Sequence, residues 1–199
     1  GALDAHSVQQ LEYTGSFGDA PGNETVGIAA GLLRTWPVGP SAGYAAAEGA
    51  VTLPAGGGVQ LRYFETEIAN QGAHGYIAVG WCRMTYPQRC RQPGWEPNSY
   101  GYHGADGRKY TDSERGESYG PAFTTGDVVG CGVLCLSRRQ VFFTKNGRHL
   151  GDAFVGVGGV LYPTVGLHSP NERVAVNFGG SPFKFDCEAL VATEREARV

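Results

Sequence analysis

The chain has 199 residues, 32 of them glycine, and a formal net charge of −3. That length supports one sizeable β domain with its own core, and no apolar stretch nears the roughly 20 residues a membrane-spanning helix needs. Glycine stands at about twice its usual share without a Gly-X-Y period, which excludes collagen and fits short strands joined by turns.

The charge is unevenly spread: residues 1–82 carry −5, 83–150 carry +4 and 151–199 carry −2. The overall balance argues against nucleic acid as a partner, while the basic middle suits an acidic peptide. The cysteines Cys82, Cys90, Cys131, Cys135 and Cys187 are odd in number. With no basic-then-apolar leader at the start, reduced thiols and an intracellular home are expected. Cys131 and Cys135 share a strand face by their even spacing, and no histidine stands near them at zinc spacing. They are expected to be buried small hydrophobes, and no metal or cofactor is expected.

In chain order, residues 1–30 read as an N-terminal segment, partly extended or covering, in which Val26 and Ile28 fit an edge strand. Gly39–Gly43 and Pro54–Gly58 read as loops, and Trp36 and Trp81 as core. Leu61–Ile68 is the first clear strand, with Phe64, Thr66 and Ile68 on one face and Tyr63, Glu65 and Glu67 on the other. Tyr76–Trp81 alternates in the same way, and the turn at Gln71–Gly75 suggests a hairpin with the preceding strand. Met84–Pro97 is a proline-rich loop. Ser99–Gly104 is a short strand whose Tyr100 and Tyr102 share a face, and Asp106–Gly107 supplies the turn that follows. Thr111–Gly116 is a polar, exposed loop.

Asp127–Leu136 is a nearly continuous apolar run, as in a central strand covered on both faces. The carboxylate of Asp127 is expected to take up backbone N–H groups at the strand entry. Val141–Lys145 pairs back on this strand, and Asn146–Gly147 is the strongest hairpin signal in the chain. Leu161–Leu167 and Arg173–Phe178 are two late strands joined by His168–Glu172. Residues 31–187 are thus read as one all-β sandwich, and residues 188–199 as a C-terminal tail or linker with helical composition.

Several short motifs then fall into a recognisable order. They are Tyr63–Glu65, Gly75–Gly80, Pro93–Trp95, Ser99–Gly104, Tyr119–Pro121, Thr124–Asp127, Thr144–Gly147, Leu161–Gly166 and Asn177–Gly179. This series resembles the SPRY (B30.2/SPRY) domain family over about Tyr63–Asp186. The wording of Ser99–Gly104 and Leu161–Leu167 is most similar to its Ran-binding protein 9/10 branch. The match fades before residue 60 and in Met84–Arg91.

The resemblance implies a bent antiparallel β-sandwich of the concanavalin-like jelly-roll kind, with a shallow binding face made by loops at one end. On this chain those loops are Thr85–Trp95 and His168–Asn171. The resemblance further implies a non-catalytic protein-interaction module, a monomeric domain of a larger multidomain chain such as a ubiquitin ligase subunit. The partner-binding residues expected are Arg89, Arg91, Pro93, Trp95, His168 and Asn171. Trp95 is either a recognition anchor or a plug for the end of the sandwich. Arg89 and Arg91 meet acidic side chains or carbonyls of a peptide, or are solvated surface. A carbohydrate-binding sandwich that stacks a sugar on Trp95 is the alternative. For an enzyme, His103 and Asp106 lack an activated nucleophile.

Overall fold

The computed structural model describes residues 8–12, 26–27, 60–83, 92–135 and 138–197. Trp36, Arg89, Cys90 and Arg91 lie outside these residues, as do the loops read at 39–43 and 54–58. The described residues form two six-stranded sheets, antiparallel throughout. The strands are β1 (Val8–Glu12), β2 (Val26–Gly27), β3 (Gln60–Gln71), β4 (Ala78–Cys82), β5 (Ser99–His103) and β6 (Arg108–Tyr110). They continue with β7 (Glu117–Ser118), β8 (Val128–Cys135), β9 (Arg139–Lys145), β10 (Arg148–Val155), β11 (Tyr162–Leu167) and β12 (Glu172–Asn177). One sheet has the order β1-β12-β3-β8-β9-β10 and the other β2-β11-β4-β5-β6-β7. The expected edge strand near Val26 forms as β2, and β1 extends the other sheet against β12.

The apolar faces of the two sheets meet in a single core. Phe64 and Ile68 of β3, Cys131 and Val133 of β8, and Val174 and Val176 of β12 supply one wall. Val79 and Trp81 of β4, Tyr102 of β5, and Val165 and Leu167 of β11 supply the other. β8 lies between β3 and β9 and is buried at seven consecutive residues, Val128–Leu134, as its unbroken apolar sequence demands. Asn146 and Gly147, with φ of 52° and 81°, adopt the left-handed conformation at both central positions of the β9–β10 hairpin. That geometry follows the right-handed twist of the flanking strands. Cys82, Cys131, Cys135 and Cys187 are free thiols.

The hairpin expected between β3 and β4 does not form. β3 pairs with β12 and β8, while β4 pairs with β11 and β5. The turn between them has positive φ at Gly72 (68°) and Gly75 (67°) and carries the chain across the core into the opposite sheet. Phe64 and Trp81 then meet edge to face from opposite walls, their rings 5.2 Å apart. Period-two alternation shows that each strand has an apolar face to cover. It does not say whether the two strands lie side by side or face each other.

The second face of β3 is covered as well. Tyr63 is fully buried and Glu65 is 4% exposed, where the alternation leads one to expect a solvated face. The cover is the C-terminal segment. Phe183 and Phe185 pack on the Tyr63 ring at 5.0 and 5.4 Å. Residues read as a tail form helix α1 (Cys187–Glu196), whose Cys187 and Val191 join Leu61, Tyr63, Leu134 and Phe142 in a second apolar cluster. Asp186 starts the helix by accepting the Ala189 N–H at 2.9 Å, satisfying one of its free first-turn donors.

Candidate functional site

At the end of the sandwich where β3 stops and β5 turns into β6, the loops enclose a cavity of about 210 Å³. Its walls are Tyr76, Gln92, Trp95, His103, Ala105, Asp106, Tyr110 and His168. The space suits one side chain of a partner, and is smaller than the roughly 300–1,000 Å³ of pockets that take whole small-molecule ligands.

Each wall is held by the strands beneath it. The segment before β5 is folded tightly by Ser99, whose hydroxyl accepts the Gly94 N–H at 2.9 Å and donates to the Glu96 carbonyl at 2.7 Å. Gln92 donates its side-chain amide to the Tyr76 carbonyl at 2.8 Å, joining this segment to the start of β4. Gly101 lets the segment lie directly on β5, since a Cβ there would stand 2.0 Å from the Pro93 carbonyl oxygen. The opposite loop is set by Glu172, which is fully buried. Its carboxylate accepts the His168 N–H and the Ser169 hydroxyl. Trp95 is thereby presented opposite His168 by backbone that is already ordered, which lowers the cost of binding.

The rings of the wall are coupled. His103 stacks on Tyr110 with centroids 3.8 Å apart, Trp95 tilts over His103 at 6.4 Å, and Tyr76 meets His168 edge to face at 5.4 Å. Asp106 accepts the Tyr110 hydroxyl at 2.5 Å through Oδ2 and the Arg108 N–H at 3.0 Å through Oδ1. Burial, reinforced by this carboxylate, pushes the Tyr110 phenol up to about 12. Trp95 Nε1 and His168 Nδ1 are buried without a hydrogen-bond partner among the described residues. Buried polar atoms in that state cost about 1–3 kcal/mol each unless a water, ion or ligand completes them.

Burial holds the His103 imidazole down at about 4, despite the Pro93 carbonyl 2.8 Å from its Nε2. The ring is therefore neutral at pH 7, with the proton on Nε2 donated to that carbonyl. Because the unfolded chain protonates near 6.5 and the folded chain only near 4, stability is lost as pH falls between those values. The expected loss from this residue is on the order of 3 kcal/mol at full titration. Denaturant unfolding at pH 7 and pH 4.5 checks it: His103→Gln should have a shallower pH dependence than the parent.

Of the residues expected to bind a partner, the structure brings Trp95 and His168 into one cavity from separate loops. Pro93 is buried beneath them and holds His103 through its carbonyl. Asn171 is exposed in the β11–β12 turn, with φ of 68°, and does not line the cavity. Arg89 and Arg91 lie outside the described residues. Sequence reasoning missed Tyr76, Gln92, His103, Ala105, Asp106 and Tyr110 as wall residues, and Glu172 as the residue that shapes the His168 loop. The only signal for them was the crowding of aromatics around the Asp106–Gly107 turn. Asp127 does what its position suggests: it accepts the Thr124 N–H at 2.9 Å and the Asn146 side-chain amide at 2.8 Å. Among the described residues, no three His, Cys, Asp or Glu side chains gather as a metal would require.

Two antiparallel sheets with an aromatic cavity built by loops at one end define a β-sandwich of the loop-presenting class. The chain belongs to the SPRY domain family, which matches residues 61–181. SPRY domains are protein-interaction modules. The chain is 47% identical over 136 residues to Ran-binding protein 9 of Homo sapiens, which covers 68% of this chain and 18% of that protein. It is 46% identical over 143 residues to Ran-binding protein 10 of Danio rerio (72% and 23%). It is 49% identical over 126 residues to a Ran-binding proteins 9/10 homolog of Drosophila melanogaster (63% and 13%). The matched part thus spans less than a quarter of these relatives. Among solved structures, a human SPRY domain is similar with a TM-score of 0.55 at 33% identity, over 65% of this chain and 90% of that one.

Proposed function

We propose that this domain recruits another polypeptide by seating a side chain of a short peptide segment in the cavity between Trp95 and His168. It does so without catalysis, as the recognition or scaffold part of a larger intracellular protein such as a ubiquitin ligase subunit. The observation that carries this reading is the pairing, in one preformed aromatic cavity, of two buried ring nitrogens, Trp95 Nε1 and His168 Nδ1, that have no partner among the described residues. A peptide supplies both what such a cavity needs, a side chain to fill it and backbone groups to meet the nitrogens.

A peptide array probed with the purified chain tests the proposal. Trp95→Ala is expected to lower capture at least tenfold, because aromatic anchors at the centre of an interface carry about 2 kcal/mol or more. Its thermal midpoint should stay close to the parent's. Val155→Ser, at the opposite end of the sandwich, should leave capture unchanged. A glycan array run beside it separates the carbohydrate-binding alternative: glycan hits without peptide hits would end the peptide reading.

A further inference from the structure

The walls of the cavity carry a chemical preference. Four aromatic rings, Tyr76, Trp95, His103 and Tyr110, and the imidazole of His168 surround it, and the described lining holds one charged side chain, Asp106. No lysine or arginine stands among those lining residues. Arg108, two residues from Asp106, turns its guanidinium to the Gly116 carbonyl at 3.2 Å, and Lys109, next to Tyr110, turns its ammonium to the Ala153 carbonyl at 2.8 Å. Both carboxylate oxygens of Asp106 accept hydrogen bonds, from Tyr110 and from the Arg108 backbone, which position the carboxylate without neutralising it. The desolvated His103 contributes no positive charge at pH 7.

The occupants can be ranked on this chemistry. An anionic side chain would face Asp106 with no cation in the described walls to balance it. An aliphatic side chain would fill the space but gain nothing from the Asp106 carboxylate, which is exposed to solvent. A cation is favoured twice, by the electron-rich ring faces and by the carboxylate.

We propose that the cavity is an aromatic box for a basic side chain of the partner peptide, a lysine, alkylated lysine or arginine, with Asp106 as its counter-charge. This rests on the peptide-binding reading above and names the kind of anchor it uses. It also departs from the acidic ligand that the basic middle of the sequence suggests.

The test separates charge from shape and needs no knowledge of the partner. Tetramethylammonium chloride and the neutral tert-butanol, of similar girth, are titrated into the ¹⁵N-labelled chain and followed by amide and indole NMR shifts, with sodium chloride as the ionic-strength control. Saturable shifts at the Trp95 indole and at residues 92–96 and 103–110 are expected with tetramethylammonium, and at least about tenfold weaker ones with tert-butanol. Asp106→Asn is expected to weaken the cation about threefold to tenfold and leave tert-butanol unchanged. Tyr76→Ala, whose ring is 46% exposed and outside the core, is a second variant that tests the box without endangering the fold. It should weaken the cation alone. Equal response to the two probes, or none to either, overturns the proposal. Because the peptide array is a separate measurement, capture that depends on Trp95 would then leave the binding reading standing and remove only the basic anchor.

Discussion

Phe64→Ala is expected to lower the free energy of unfolding by about 3–5 kcal/mol, measured by denaturant melts. Phe64 is fully buried at the centre of β3, edge to face with Trp81 at 5.2 Å and against Phe178 at 5.7 Å. Removing the ring costs its transfer out of water and leaves a cavity between two sheets whose strands are paired on both sides. Those strands cannot collapse inward without breaking their ladders. Phe64→Leu should recover most of the loss, because it restores much of the volume. A loss below about 1 kcal/mol would mean that the two sheets are not packed through this residue.

The second large effect is expected at Glu65, whose carboxylate is buried against the C-terminal segment. It accepts the Lys184 and Phe185 N–H groups and the Tyr63 hydroxyl, each at 3.0 Å. The Tyr63 oxygen in turn lies 2.7 Å from Thr144 Oγ1, which must be the donor there because the Tyr63 proton is already given to Glu65. Burial and the neighbouring carboxylate push the Tyr63 phenol far up, so this network keeps its protons across the working pH range. Glu65→Ala strands three donors, at about 1–3 kcal/mol each. A loss of about 3 kcal/mol or more is expected, with faster amide exchange at residues 184–196 as the local signature. Glu65→Gln should lose less, since its single carbonyl oxygen still accepts. If amide protection of α1 were unchanged in Glu65→Ala, the carboxylate would not be what seats the segment.

Much of the architecture is legible without coordinates, and the reasons are local. A seven-residue buried run such as Val128–Leu134 has no partner face to hide except on both sides. Asn146–Gly147 announces a hairpin because few residue pairs tolerate positive φ in succession. Trp95 stands out as an aromatic in a proline and glycine loop. The pairing of β3 with distant β8 and β12 is not legible in this way, because alternation records that a face is buried and not what buries it. The cover over Tyr63 and Glu65 is hidden for the same reason. It comes from residues 183–191, more than 110 positions away, whose composition reads only as helix.

The candidate site divides along the same line. Its two loops and their anchors, Trp95 and His168, stand out by residue type and position. The remaining walls do not, because Tyr76, Asp106 and Tyr110 belong to a turn and two strand ends that meet only when β4, β5 and β6 align.

By itself the sequence determined an all-β chain, the main strands between Leu61 and Phe178, and its family. These are properties of backbone preference and of the order of short motifs, which act over a few residues at a time. Only the tertiary structure decided which sheet each strand enters, what covers the outer face of β3, and that the loop cavity holds aromatic rings around a single carboxylate among its described walls. Burial and electrostatics are set by whichever groups come within a few ångströms, and in a sandwich of this topology those neighbours lie far apart along the chain.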